Sequence, residues 1–81
     1  MKKIKHVDAS GTVHYFKDHS YTNLHNEEGP AIIYKDGQLS FYIDNCRLSV
    51  EVFKEKDLEA IRHTYPKLYP HIVQYLAERY L

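Results

Sequence analysis

The 81 residues make one domain, near the size at which a single apolar core only just suffices. Eleven basic and eleven acidic side chains cancel, six of each sign up to residue 48 and five of each beyond it, so neither half carries a nucleic-acid binder's basic stripe. Cys46 stands alone, which excludes an internal disulfide and a cysteine-built metal site, and no apolar run approaches a membrane span or a signal peptide; a cytoplasmic protein without membrane contact is expected.

Residues 3–7 alternate and read as a first strand, with Ile4 and His6 on one side. Asp8-Ala9-Ser10-Gly11 is a turn, and residues 12–16 return as a second strand. A four-residue loop sets Ile4 opposite Tyr15 and His6 opposite Val13, which gathers the apolar side chains on one face. Residues 17–30 are polar and irregular, holding His19, His25, Glu27 and Glu28, with Leu24 as an anchor and Gly29-Pro30 as the close. Asp36-Gly37 then sits between two runs rich in β-branched and aromatic residues, the strongest short-range hairpin signal. A two-residue loop there pairs Lys35 with Gln38, Tyr34 with Leu39 and Ile32 with Phe41. Ile32, Tyr34, Leu39, Phe41 and Ile43 then share the core face, and Ile33, Ser40 and Tyr42 take the other. Asp44-Asn45 makes a further turn, pairing Ile43 with Cys46 and Phe41 with Leu48. That register turns Cys46 inward as an inert thiol.

At Ser49 the period changes from two to helical. Ser49 can cap a helix that starts at Val50, and Glu51 suits its positive end. Val50, Phe53, Leu58, Ile61 and Tyr65 form a stripe whose step from Phe53 to Leu58 requires a restart near Lys56, with Asp57 as a second cap. Pro66 ends this segment and Pro70 fits the first turn of the next. Ile72, Val73, Leu76 and Tyr80 make the second stripe. The expected architecture is α+β: an antiparallel β-meander of four to five strands over residues 1–48, followed by two C-terminal helices over 49–81 packed on one face.

Leu24-His25-Asn26-Glu27-Glu28-Gly29-Pro30-Ala31, then Asp36-Gly37 and Phe41-Tyr42-Ile43-Asp44-Asn45, resembles one unit of a MORN-like β-hairpin repeat of the form Leu-His-x-x-x-Gly-Pro-Ala. Asp8-Ala9-Ser10-Gly11 with Tyr15-Phe16-Lys17-Asp18 echoes it as a degraded copy, so the resemblance covers about residues 8–49. Asn45 stands where the repeat prefers glycine, and Ser49 where it carries a second histidine. Such repeats are common in small phage and bacterial proteins. The resemblance implies a hairpin sheet in which His25 and the acids serve a turn, and a role in inhibiting a host enzyme or defence complex.

Three chemistries compete for the polar residues. His25, Glu27 and Glu28, with Asp18 and His19 upstream, could ligate Zn²⁺ or Mg²⁺ as a small metal-dependent hydrolase, but no spacing matches a zincin helix, an EF-hand or a zinc finger. Cys46 with His25 or His14 lacks any nucleophile motif around it. Lys2, Lys3, Lys5 and Lys35 with stacking tyrosines would make a nucleic-acid-associated protein, against which the neutral charge weighs. No catalytic residue, metal or cofactor is assigned. Eight tyrosines favour an interface instead. The expected function is a non-enzymatic protein–protein interaction module, with homodimerisation as one form of it. Its candidate contact residues are Ile33, Tyr42 and Phe16 on the sheet, and Tyr65, Leu68 and Tyr69 in the proline-bounded connector.

Overall fold

Glycine and asparagine turns decide where the strands pair across residues 3–80, which the computed structural model describes. The elements are β1 (Ile4–Val7), β2 (Val13–Phe16), β3 (Ile32–Ile33), β4 (Leu39–Ser40), β5 (Tyr42–Ile43), β6 (Cys46–Arg47), a 3₁₀ turn at Val50–Val52, α1 (Glu55–Thr64) and α2 (Tyr69–Tyr80). β1 to β4 form an antiparallel sheet in chain order, and β5 with β6 forms a second, two-stranded one. The fold is α+β, as expected.

The first two registers differ from expectation for one reason. Asp8 N–H donates to Thr12 O at 3.0 Å, so both residues extend the ladder and only Ala9, Ser10 and Gly11 remain as loop. Gly11, at φ +93°, returns its N–H to Asp8 O. Ile4 therefore faces Phe16, and His6 faces His14. The central hairpin repeats the device. Tyr34 N–H donates to Gln38 O at 2.8 Å, Gly37 N–H donates to Tyr34 O at 2.9 Å, and Gly37 sits at φ +92°. This is a three-residue loop with a glycine bulge, not the two-residue loop, and it shifts the pairing by one. Ile33 faces Leu39 and Ile32 faces Ser40.

A one-residue shift exchanges the faces. Val7, Val13, Ile33 and Leu39 now make one row across all four strands, and His6, His14, Ile32 and Ser40 make the row on the opposite face. The third turn lies where the alternation puts it. Asp44 and Asn45 both adopt positive φ, +49° and +66°, in a two-residue loop that gives Ile43↔Cys46 and Tyr42↔Arg47. Phe41 O accepts the Leu48 N–H at 2.8 Å, as that register requires. Cys46 is nevertheless exposed, a correction to its expected burial. It adjoins the Asp44-Asn45 turn, paired with Ile43 at the end of the hairpin.

The core forms between β4–β6 and the helices. Phe41, Val50, Ile61, Leu68 and Ile72 are buried, surrounded by Leu39, Ile43, Leu48, Phe53, Leu58, Tyr65, Tyr69, Tyr75 and Leu76. Phe41 meets the Tyr75 ring edge-on at 5.5 Å, a favoured aromatic geometry. The helical segment does not begin as an α-helix at Val50. Ser49 makes no side-chain cap there, and its hydroxyl accepts from Arg47 instead. The helix does restart, but earlier than expected: Lys54 is the N-cap, and Asp57 is the third residue of α1, where its carboxylate accepts the Lys54 N–H at 2.8 Å. On α2, Val73 is 40 % exposed and Tyr75 takes its place in the core. Tyr75 and Leu76 lie three and four residues after Ile72 and share its face, which Val73 does not. Tyr80, expected on that stripe, has a side chain outside those described.

Candidate functional site

The stretch around His25 is a seam between the two sheets. β2 pairs with β3 through Val13 and His14, and then its edge passes to residues 23–25. Tyr15 makes the transfer: its N–H donates to Ala31 O, and its O accepts from His25 N–H. Lys17 N–H donates to Asn23 O, and Phe16 bridges to Leu24. The other side of this segment holds the β5–β6 hairpin. Asn45 N–H donates to Leu24 O, Asn26 N–H donates to Tyr42 O, and the Asn45 side-chain oxygen accepts the Leu24 N–H.

His25 and Asn26 are buried to do this work. His25 Nδ1 accepts the Asp44 N–H, and its Nε2 meets Glu27 Oε2 at 2.9 Å. Asn26 closes the Gly29-Pro30 loop, donating to Pro30 O and accepting from Glu28 N–H. Glu28 turns elsewhere, to Lys3 at 2.6 Å and Lys67 at 3.3 Å; the hydrogen bond from Lys3, then that from Lys67, holds its carboxyl below the usual range. His25, Glu27 and Glu28 therefore do not converge. Among the described residues no three His, Cys, Asp or Glu side chains gather as metal ligands.

A second pattern, invisible to the alternation argument, builds the outer face of β1 and β2. Asp8-Ala9-Ser10-Gly11-Thr12 and Asp18-His19-Ser20-Tyr21-Thr22 are the same turn made twice, ten positions apart. In each, the aspartate Oδ1 accepts both the N–H and the hydroxyl of the serine two residues on, and that hydroxyl bonds the following threonine. The fourth position needs a left-handed backbone. Gly11 supplies it freely, whereas Tyr21 is held at φ +57°. An L residue there costs about 1–2 kcal/mol.

The strained turn brings the Tyr21 ring over the sheet. Its centroid lies 5.5 Å from Phe16, edge-on, 5.7 Å from His6 and 6.4 Å from His19. Phe16 and His14 are near-parallel at 6.0 Å. Together with Asp8, the rings of His6, His14, Phe16 and Tyr21 line an open cleft of about 520 Å³. Asp8 Oδ1 also accepts the Thr12 N–H, and Oδ2 lies 3.2 Å from His14 Nε2. The Ser10 and His14 hydrogen bonds hold the Asp8 carboxyl far below the usual range, so it stays ionised in the cleft. Tyr21 is 50 % exposed despite its neighbours.

Of the six anticipated contact residues, Phe16 alone lines this cleft. Ile33 is half-buried opposite Leu39, and Tyr42 is half-buried in the second sheet opposite Arg47. The shifted register thus separates a pair expected to share one face. Leu68 is fully buried and cannot touch a partner; Tyr65 and Tyr69 are half-buried against the same core. The connector plugs the space between helices and sheet. Lys3 pairs with Glu28 and lies 5.7 Å over the Tyr15 ring, so it adds nothing to a basic stripe, and Lys2 lies outside the described residues. From the sequence, His14 enters only as a base for Cys46, and His6, Asp8 and Tyr21 have no place in a site. The repeated Asp-x-Ser-x-Thr was the signal, with tyrosine standing where the first copy has glycine. No helix among the described residues is long and apolar enough to cross a membrane. No protein-family model, curated protein or solved structure matches the chain.

Proposed function

We propose that this protein is a non-catalytic cytoplasmic module that docks another protein through the outer face of β1 and β2. The observation that carries the reading is Tyr21, a half-exposed ring held by a left-handed backbone where the sister turn uses glycine. Strain persists where the surroundings over-determine it, and such positions gather at binding sites. A tyrosine braced by Phe16 and His6 offers apolar area with little rotamer entropy to lose, the property of interface anchors. The face lies opposite the row that carries Leu39 into the core, so contact there leaves the helices undisturbed.

The test is affinity purification from the native cell with wild type, Tyr21→Gly and Tyr42→Ala. The partner should be retained by wild type and Tyr42→Ala and lost with Tyr21→Gly, whose circular dichroism stays native because glycine fits the backbone. Equal capture by Tyr21→Gly would move the interface elsewhere. Where the partner is a second copy of the chain, sedimentation of the purified protein shows a dimer that Tyr21→Gly dissociates.

A further inference from the structure

We infer that the cleft formed by His6, Asp8, His14, Phe16 and Tyr21 receives a cationic side chain of the partner, an arginine guanidinium or a lysine ammonium. This rests on the docking reading and names the group recognised.

Charge is the first argument. Asp8 is the one acid among the residues lining the cleft, and none of them is a lysine or arginine. Its two oxygens are unequally used. Oδ1 already accepts from the Ser10 N–H, the Ser10 hydroxyl and the Thr12 N–H, whereas Oδ2 meets His14 Nε2 at 3.2 Å. A carboxylate oxygen can take two donors, so Oδ2 keeps an acceptor site, and the side chain is 38 % accessible. An N–H donor entering the cleft would find an ionised oxygen whose position the turn has already set.

Ring geometry is the second argument. A cation is stabilised within about 6 Å of an aromatic face, and aromatic cages are a recurring way of binding one. Phe16 and Tyr21 line the cleft in edge-to-face contact, at 85° and 5.5 Å between centroids, so a cation does not pass between them but lies beside the pair, against two differently oriented rings. This chain makes the same pairing internally, with Lys3 over Tyr15 at 5.7 Å and Arg79 over Tyr75 at 5.1 Å. The strain at Tyr21 then has a purpose: glycine would complete the turn but leave one wall of the cage missing.

The test uses the full chain and small probes, followed by the ring resonances of Phe16 and Tyr21 in NMR titrations. The probes are N-acetyl-arginine methylamide and its neutral isostere, the citrulline analogue. Two variants keep the fold while altering the cleft: Asp8→Asn retains the Oδ1 acceptor that organises the turn, and Tyr21→Gly suits the backbone. The arginine probe should shift both rings saturably, and the citrulline probe and Asp8→Asn should each bind about tenfold more weakly. Tyr21→Gly should abolish the Phe16 shift. Equal binding of the two probes, or an unchanged affinity in Asp8→Asn, overturns the cationic ligand while leaving a neutral docking cleft in place. An absence of any ring shift with the arginine probe also overturns it, and the docking reading is then decided by the Tyr21→Gly capture experiment alone.

Discussion

His25 Nδ1 accepts the backbone N–H of Asp44 at 2.9 Å, which ties the seam to the tip of the β5–β6 hairpin. A nitrogen that accepts carries no proton, so the neutral ring bears its hydrogen on Nε2, facing Glu27. His25→Ala removes both bonds and most of a buried side chain, and should cost about 2–4 kcal/mol. Urea unfolding monitored by circular dichroism measures this. A loss below the error of that method would mean that the seam holds without its histidine.

Gly37→Val should destabilise the protein by about 1–3 kcal/mol through the backbone alone. No atom lies within 4 Å of where a Cβ would stand, so steric contact is absent and only φ +92° matters. Gly37→Asn, which tolerates that region, should cost much less. Thermal melts of the two variants separate strain from packing, and equal melting temperatures would remove the left-handed turn from the account.

Phe41→Ala should unfold the domain or cost about 3–5 kcal/mol, because the ring is 1 % exposed and meets Tyr75 in the centre of the core. Tyr42→Ala, one position along and half-buried, should keep its native circular dichroism at a cost of about 1 kcal/mol. Similar losses in the two variants would show that both sides of β5 are equally covered.

Acid should weaken the fold through its turn aspartates. The carboxyls of Asp8 and Asp18 are held below the usual 3.8, chiefly by the Ser10 and Ser20 hydrogen bonds respectively. A depressed carboxyl stabilises the fold above the unfolded value, and that contribution disappears as the pH falls through the folded one. The melting temperature should therefore hold from neutrality to about pH 5 and fall increasingly below pH 4. Asp8→Asn should be less stable than wild type at pH 7, and the gap should close on acidification. A gap that is constant with pH would exclude the ionised Asp8 as its source.

The α+β class, the β5–β6 register, a restart before α1, the end of α1 and the start of α2 were legible in the residues alone. Each depends on signals within a few positions: alternation on either side of Asp44-Asn45, Asp57 within reach of Lys54, and prolines at 66 and 70. The first two hairpin registers were not legible, because the glycine that ends each turn, Gly11 or Gly37, can also take the left-handed position of a three-residue bulged loop, which changes the loop length by one without changing the residues. One residue of difference moved Ile32 to the face of His6 and His14, and Ile33 to the face of Leu39. Tertiary structure alone decided the seam and the cleft. His25 finds Asp44 nineteen positions away, and Tyr21 reaches His6 and Phe16 by folding a turn back over the sheet. Periodicity reports which face a strand or helix presents, but carries nothing about which distant backbone groups will satisfy an irregular segment. Those partners exist only once the two sheets have been brought together.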